Sequence, residues 1–374
     1  MRKEDLMMTN NKKHLISSMQ MMCFLISSQI GFGIITLPTT LANKIGHDGW
    51  ISVFLSGIIS IICTFLICRF LKRYSDKSIF QINILLYGKY IGMLINFSLF
   101  LYFVFTCIVI FRLYSELIKI TVLPLTPLTV LSLFTSIPTI YLCFKGLNPI
   151  AKFTITLLPV YIITIIFFLV LTKNGRLTFI MPVGQAGTKG IISGMMLSGF
   201  SFLGIELLPV IYPYVTDKQN FTKFSISANI FTTLFSTLIV FITNIYVGEW
   251  KLKLLAFPLF NVITSMRIPI IERLDLLFIM LWYPVMGSSI RNYFFCSYHF
   301  LDILLAINNK KYPILLLTII IILLGNMPKD LVDIYSFTDI IGVTGLLVIS
   351  LLLFSFGFSF INKRGVKIEK NKSN

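Results

Sequence analysis

The sequence predicts an all-α integral membrane protein. It has about ten transmembrane helices in a five-plus-five inverted repeat, with discontinuous helices 1 and 6. Three observations predict this. The chain is 56% hydrophobic with a mean hydropathy of +0.88 and is only 13% charged, about half the charged share of a soluble domain. Its apolar residues gather into stretches long enough to cross a bilayer. A gapless internal repeat also places similar glycine-bearing segments in the first and sixth of those stretches.

The stretches run near 14–41, 49–70, 92–118, 127–143, 150–171, 189–211, 222–247, 272–302, 312–326 and 335–361. Each approaches or exceeds the roughly 20 residues a spanning helix needs. The formal charge of +17 could point to nucleic acid, but its distribution points to topology. With the N-terminus cytoplasmic, 20 basic residues fall on that side and 9 on the other, while Arg112, Arg273 and Arg291 fall in helices. That bias follows the positive-inside rule and puts both termini in the cytoplasm, which an even helix count requires. The expected organisation is therefore a tail at 1–13, a transmembrane domain at 14–361 and a tail at 362–374. Repeat one covers about 14–171 and repeat two about 189–361. The first stretch contains Gln20 and Gln29 and lacks a small-residue cleavage site, so no cleaved signal peptide is expected.

Between the stretches, Ser78–Lys89 spaces Ile79, Ile82, Leu85 and Leu86 as an amphipathic interfacial helix. Lys253–Ile263 is expected to lie at the opposite interface in the same way. All six cysteines fall inside apolar stretches, with no C-x-x-C pair, and read as buried thiols. The three histidines, His14, His47 and His299, lie in separate regions, and no metal site or cofactor is expected. No nucleophile–base pair or phosphate loop appears, so the chain is not expected to be an enzyme.

The repeat aligns Ile26–Pro38 (ISSQIGFGIITLP) with Leu197–Pro209 (LSGFSFLGIELLP) at a constant offset of 171, with five of 13 positions identical. Five helices separate the two segments, so the second copy runs the opposite way through the membrane. Gly31 and Gly33 flank Phe32 in the first segment; Gly199 and Gly204 flank Phe200–Leu203 in the second. Glycine lets the backbone leave the helix. Backbone groups freed at membrane depth need a cavity or a ligand. Half-helix N-termini attract a carboxylate and freed carbonyls accept from an ammonium, so a small zwitterion suits both. Close helix packing is the other reading of such glycines. Glu206, two residues after Gly204, is expected to face the bundle interior as a ligand, cation or proton site, or to pair with Arg112 or Arg291. Arg112 and Glu116 are spaced i,i+4 and are expected to pair near the surface. Ser288 and Ser289 could offer hydroxyls to a cation, although such serines often bond their own backbone. Trp282 and Tyr283 would line a cavity or anchor an interface.

The two glycine segments resemble the amino acid–polyamine–organocation transporter superfamily. Three further segments are similar to the spore germination permease family, the B subunits of nutrient germinant receptors: SIFQINILLYGKYIG at Ser78–Gly92, FPLFNVI at Phe257–Ile263 and IERLDLLFIMLW at Ile271–Trp282. The resemblance covers about residues 10–360. It implies a multi-pass protein of the endospore inner membrane that binds a small nutrient, an amino acid above all, and triggers germination with A and C subunits. A secondary amino-acid transporter working by alternating access is the alternative. The superfamily's substrate site maps onto Gly31, Gly33, Ile34, Phe200, Ser201, Phe202 and Gly204, with Gln29 and Glu206 beside them. Glu206, Ser288, Ser289 and Lys152 are the candidates for an ion or coupling role. Some proton-coupled relatives carry a lysine in mid-fifth helix; here Lys152 lies near that helix's cytoplasmic end.

Overall fold

The computed structural model describes residues 14–361 except 32, 76, 266–273, 306–310 and 329–330. Every stretch read from hydropathy forms helix among the described residues. The first helix is in two pieces, Ser18–Gln29 and Gly33–Ile45, and the second is Gly49–Lys72. The third and fourth are Lys89–Thr121 and Leu128–Lys145, and the fifth pairs Leu147–Ile155 with Leu158–Leu171. The sixth runs as Gly187–Gly199, short 3₁₀ turns and Leu208–Ile211. The last four are Phe221–Val247, Leu274–Leu305, Lys311–Gly325 and Leu331–Ile361. By length and composition, six helical runs of the described residues could span a membrane, or seven with the bent sixth pair. One of the six, Gly33–Lys72, has 40 residues and would extend about 60 Å if straight, twice a bilayer core. It reverses instead. Gly46 takes φ 73°, a conformation that favours glycine. A Cβ on Gly49 would meet the Leu41 side chain at 2.8 Å, a contact that a straight helix would separate by about 12 Å.

Apolar residues also cover the outside. Phe54, Ile62, Leu94, Phe134 and Ile166 are all exposed, as a lipid-facing surface requires. The interior mixes aromatic and aliphatic side chains with buried Ser, Thr and Asn. Many of those hydroxyls bond the carbonyl three or four residues back, as Thr232 and Thr243 do, which satisfies them without water.

The helix expected within Ser78–Lys89 runs Ile79–Tyr87 and opens on a capping box, Ser78 with Gln81. Its Ile79, Ile82 and Leu86 are buried, with Leu85 partly buried. The second connecting segment is helical at Pro258–Thr264, which buries Leu259, Phe260, Val262 and Ile263 against the bundle and leaves Asn261 and Thr264 exposed, the one-sided pattern of an amphipathic helix. Trp282 is likewise a core residue, stacked on Phe278 with ring centroids 5.4 Å apart. Arg112 and Glu116 do pair, but inside the protein: Arg112 is 3% exposed, and its guanidinium also donates to the Pro328 carbonyl at 3.1 Å. The third helix is enclosed along this stretch, and the pair sits beside the connection between the ninth and tenth helices. Glu272 and Arg273, just before the eighth helix, and the Asp275 side chain in its first turn lie outside the described residues, as do both tails.

Candidate functional site at the paired helix breaks

The first helix stops at Gln29, where the Ile30 N–H still reaches the Ile26 carbonyl at 2.8 Å. The next half-helix starts at Gly33. A break strands the last carbonyls of one half and the first N–H groups of the other. The eighth helix supplies partners for the carbonyl side. Ser289 Oγ donates to the Ser27 carbonyl at 2.7 Å, and Ser288 Oγ bonds its own helix at Val285. The Asn292 amide donates to the Phe24 carbonyl at 3.1 Å, Ser27 Oγ at 3.0 Å and Ser28 Oγ at 2.8 Å. Gly31 is required here, because a Cβ on it would lie 1.8 Å from Ser289 Oγ.

The sixth helix breaks at the aligned place. Phe200–Phe202 forms a 3₁₀ turn, Leu203 is extended and Gly204 has φ 128°. Glu206 closes this break from within the same segment. Its Oε2 accepts the Gly204 N–H at 2.7 Å, and its Oε1 accepts from the hydroxyls of Tyr102 at 3.0 Å and Tyr293 at 2.7 Å. Glu206 thus pairs with neither arginine. Arg291 lies over the Phe153 ring and donates to the Pro284 carbonyl.

Gln29 ties the two breaks together. Its amide donates to the Phe202 carbonyl at 3.1 Å and to Asn229 Oδ1 at 3.0 Å, and Asn229 is held in turn by Ser60 and Thr64 of the second helix. Gly33 presses on the sixth-helix turn, with its Cβ position 3.2 Å from Ser201 Oγ. Between the breaks lies a small cavity of about 20 Å³, lined by Ser28, Gln29, Gly33, Thr106, Phe200, Ser289 and Tyr293 among others. That is room for about one water. Two of the cavity's lining residues carry buried polar atoms with no hydrogen-bond partner among the described residues, Gln29 Oε1 and Thr106 Oγ1, and so does Ser201 Oγ on the adjoining sixth-helix turn.

The residues predicted from the repeat therefore come together, with Ile34 and Phe202 buried in the adjoining apolar packing. Lys152 does not join them: it is exposed on the fifth helix. Sequence reasoning missed Tyr102, Tyr293, Asn292, Asn229 and Thr106. Their one sequence signal is a polar group at membrane depth, which many residues in this chain share. No group of three or more His, Cys, Asp or Glu side chains suited to a metal occurs among the described residues.

The family model described as spore germination protein matches residues 15–334. The chain belongs to the spore germination protein family. Relatives include spore germination protein B2 of Bacillus subtilis (strain 168), 28% identical over 360 residues, with 94% of this chain and 97% of that protein covered. Spore germination protein GerQB of Bacillus cereus is 25% identical over 273 residues, covering 72% of this chain and 75% of that one. Among solved structures, MhsT in complex with L-phenylalanine matches with TM-score 0.68 at 14% identity, covering 95% of this chain and 98% of that one. Mhp1, a nucleobase-cation-symport-1 family transporter in a closed conformation with bromovinylhydantoin bound, matches with TM-score 0.65 at 11% identity, covering 91% and 78%. At these identities the likeness is one of fold: an all-α membrane fold of about ten helices in an inverted repeat, with the first and sixth discontinuous. This spore germination family member is thus a multi-pass membrane protein.

Proposed function

We propose that the chain is the membrane subunit of a spore nutrient germinant receptor, which binds a small nutrient between its two helix breaks and so triggers germination. Three buried polar atoms without partners, two on residues lining the cavity and one on the sixth-helix turn beside it, carry this reading. An unpaired buried polar atom costs about 1–3 kcal/mol, and a ligand that supplies the missing bonds recovers it. An amino acid is the class that fits. The N-terminus of the half-helix at Gly33 favours a carboxylate, while Gln29 Oε1 and the hydroxyls of Ser201 and Thr106 accept from an ammonium. The contacts would come from Gln29, Gly31, Gly33, Ile34, Phe200, Ser201, Phe202 and Gly204, with Glu206 holding the sixth-helix break in shape. A cavity of about 20 Å³ is too small for an amino acid, so binding must part the halves and thereby shift a conformational equilibrium.

The expected setting is the endospore inner membrane, with both termini on the spore-core side, repeats at 14–171 and 189–361 flanked by short tails, and A and C subunits as partners. The subunit is a receptor or permease and not an enzyme. The transporter-like fold favours a second reading, a secondary amino-acid transporter working by alternating access. Spores lacking this gene, tested against single amino acids, decide between them. Loss of germination to one nutrient supports the receptor. Unchanged germination together with lost uptake in vegetative cells supports the transporter.

A further inference from the structure

On the face carrying the turn between the first and second helices, three connections meet at a single imidazole. His47 is buried, 6% exposed. Its Nε2 faces the Pro182 carbonyl at 3.0 Å, from the segment between the fifth and sixth helices. Its Nδ1 faces Glu249 Oε2 at 3.0 Å, at the end of the seventh. The neighbouring carboxylate strengthens the join, because Asp48 accepts the N–H groups of Gly184 and Ala186 at 2.9 and 2.8 Å. Glu249 also accepts the His47 N–H, and its other oxygen accepts from Lys253 at 2.6 Å. A cavity of about 330 Å³ opens beside this knot, lined by Ala42, Lys44, His47, Gln185, Glu249 and Lys253 among others.

The chemistry of the ring contacts fixes the protonation state. A carbonyl oxygen and a carboxylate oxygen both only accept, so both ring nitrogens must donate, which only the imidazolium does. A neutral ring turns a lone pair toward one of the two acceptors, whichever tautomer it adopts. We propose that His47 is a proton-dependent clasp that holds this face of the protein shut, and that losing its proton frees the 182–186 segment or the Glu249 segment and opens the path beside the first helix.

The surrounding charges support the clasp. Asp48 and Glu249 face the ring, Lys44 and Lys253 line the same cavity, and the 182–186 segment presents only backbone and Gln185. Burial disfavours the charged ring, but the Pro182 carbonyl, the Glu249 carboxylate and the charge of Asp48 outweigh it and carry the pKa above that of a free histidine. Burial likewise opposes the charge on Glu249, and its bonds from Lys253 and His47 outweigh that and hold its pKa below the usual carboxylate value. A raised histidine pKa gives a contribution fully present below about pH 6.5, the unfolded value, and lost as pH rises through the higher folded value. The Glu249 contribution has the opposite sense: it is present above about pH 4.3 and lost as pH falls through its lowered value. The clasp therefore weakens with alkali through His47 and with strong acid through Glu249.

The test uses the full chain in membranes and a membrane-impermeant thiol reagent. Ala42→Cys places a thiol on a 1% exposed position lining the cavity. Asn43→Cys, at an exposed neighbour, corrects for the reagent's own dependence on thiolate. Relative to that reference, Ala42→Cys labelling should rise roughly fivefold or more between pH 6 and pH 8.5, as expected if most of the ring titrates in that interval. His47→Gln should make it fast and flat with pH, and His47→Arg, which keeps two donors and the charge, slow and flat. If His47→Gln fails to accumulate, the His47→Arg series and the unaltered histidine still decide. A pH response that survives in His47→Arg, or none with His47 intact, overturns the proposal.

Discussion

At the first-helix break the stranded carbonyl of Ser27 is taken by Ser289, and the carbonyl of Phe24 by Asn292, both borrowed from the eighth helix. At the sixth-helix break the stranded N–H of Gly204 is taken by Glu206, two residues along the same chain, and the tyrosines of two other helices close over it. Neutral donors from a neighbour satisfy the first break. A local acid satisfies the second. The first break is thus held mainly by the packing of helix one on helix eight, whereas the second has in Glu206 an acceptor of its own that travels with the sixth helix. Movement on ligand binding should concentrate at the first.

The largest effect expected of this difference is at Glu206. Glu206→Leu leaves the Gly204 N–H and two tyrosine hydroxyls buried without an acceptor, at about 1–3 kcal/mol each. Membrane abundance should collapse, and neutralising Arg112 or Arg291 should not restore it. Glu206→Gln keeps one carbonyl oxygen and should lose less. A normally abundant Glu206→Leu protein would mean that the sixth break does not depend on its acid. Next in size is Gly31→Ala, whose Cβ would sit 1.8 Å from Ser289 Oγ. It should lower the thermal midpoint of the purified protein, and Ser289→Gly in the same chain should recover most of the loss. Failure of that rescue would separate the first break from the eighth helix.

Glycines sharpen the comparison further, because their positions in sequence do not reveal what they face. Gly57, in the unbroken second helix, looks like a neutral position. Its Cβ would meet Thr233 of the seventh helix at 2.2 Å, so Gly57→Leu should reduce abundance severely. Gly357, with nothing within 4 Å, is the neutral control. Gly33→Leu should fall between them in abundance while abolishing ligand response, since it fills the space against Ser201 that the breaks share. Equal loss of response and abundance at Gly33 would make it a packing glycine like Gly57.

The sequence was most informative where one physical constraint dominated. Hydropathy placed the helices because a bilayer demands long apolar runs, and the repeat located both breaks because glycine is what lets a helix stop at membrane depth. Tyr102 and Tyr293 were invisible because they lie 104 and 87 residues from the acid they serve, a pairing set by helix adjacency and not by spacing. Asn292 and Asn229 were passed over for the same reason. His47 carried no motif at all. Its role exists only because two distant connections, at Pro182 and Glu249, fold over one turn.

The smallest expected effect on stability is also the sharpest on function. Ser201 and Ser289 are both buried serines at the paired breaks, yet their hydroxyls stand in opposite situations. Ser289 Oγ holds the Ser27 carbonyl at 2.7 Å, so Ser289→Ala removes a used bond and should cost about 1 kcal/mol or more. Ser201 Oγ has no partner among the described residues, so Ser201→Ala removes a buried group that was already unsatisfied. Its thermal midpoint should stay level or rise slightly. Its response to the amino acid that triggers germination should fall roughly 3- to 10-fold, the loss of one ligand hydrogen bond of about 0.5–1.5 kcal/mol. Thermal midpoint and dose–response, measured on the same Ser201→Ala protein, separate the two quantities. A lowered midpoint with an unchanged dose–response would remove Ser201 from the ligand site and leave it as packing.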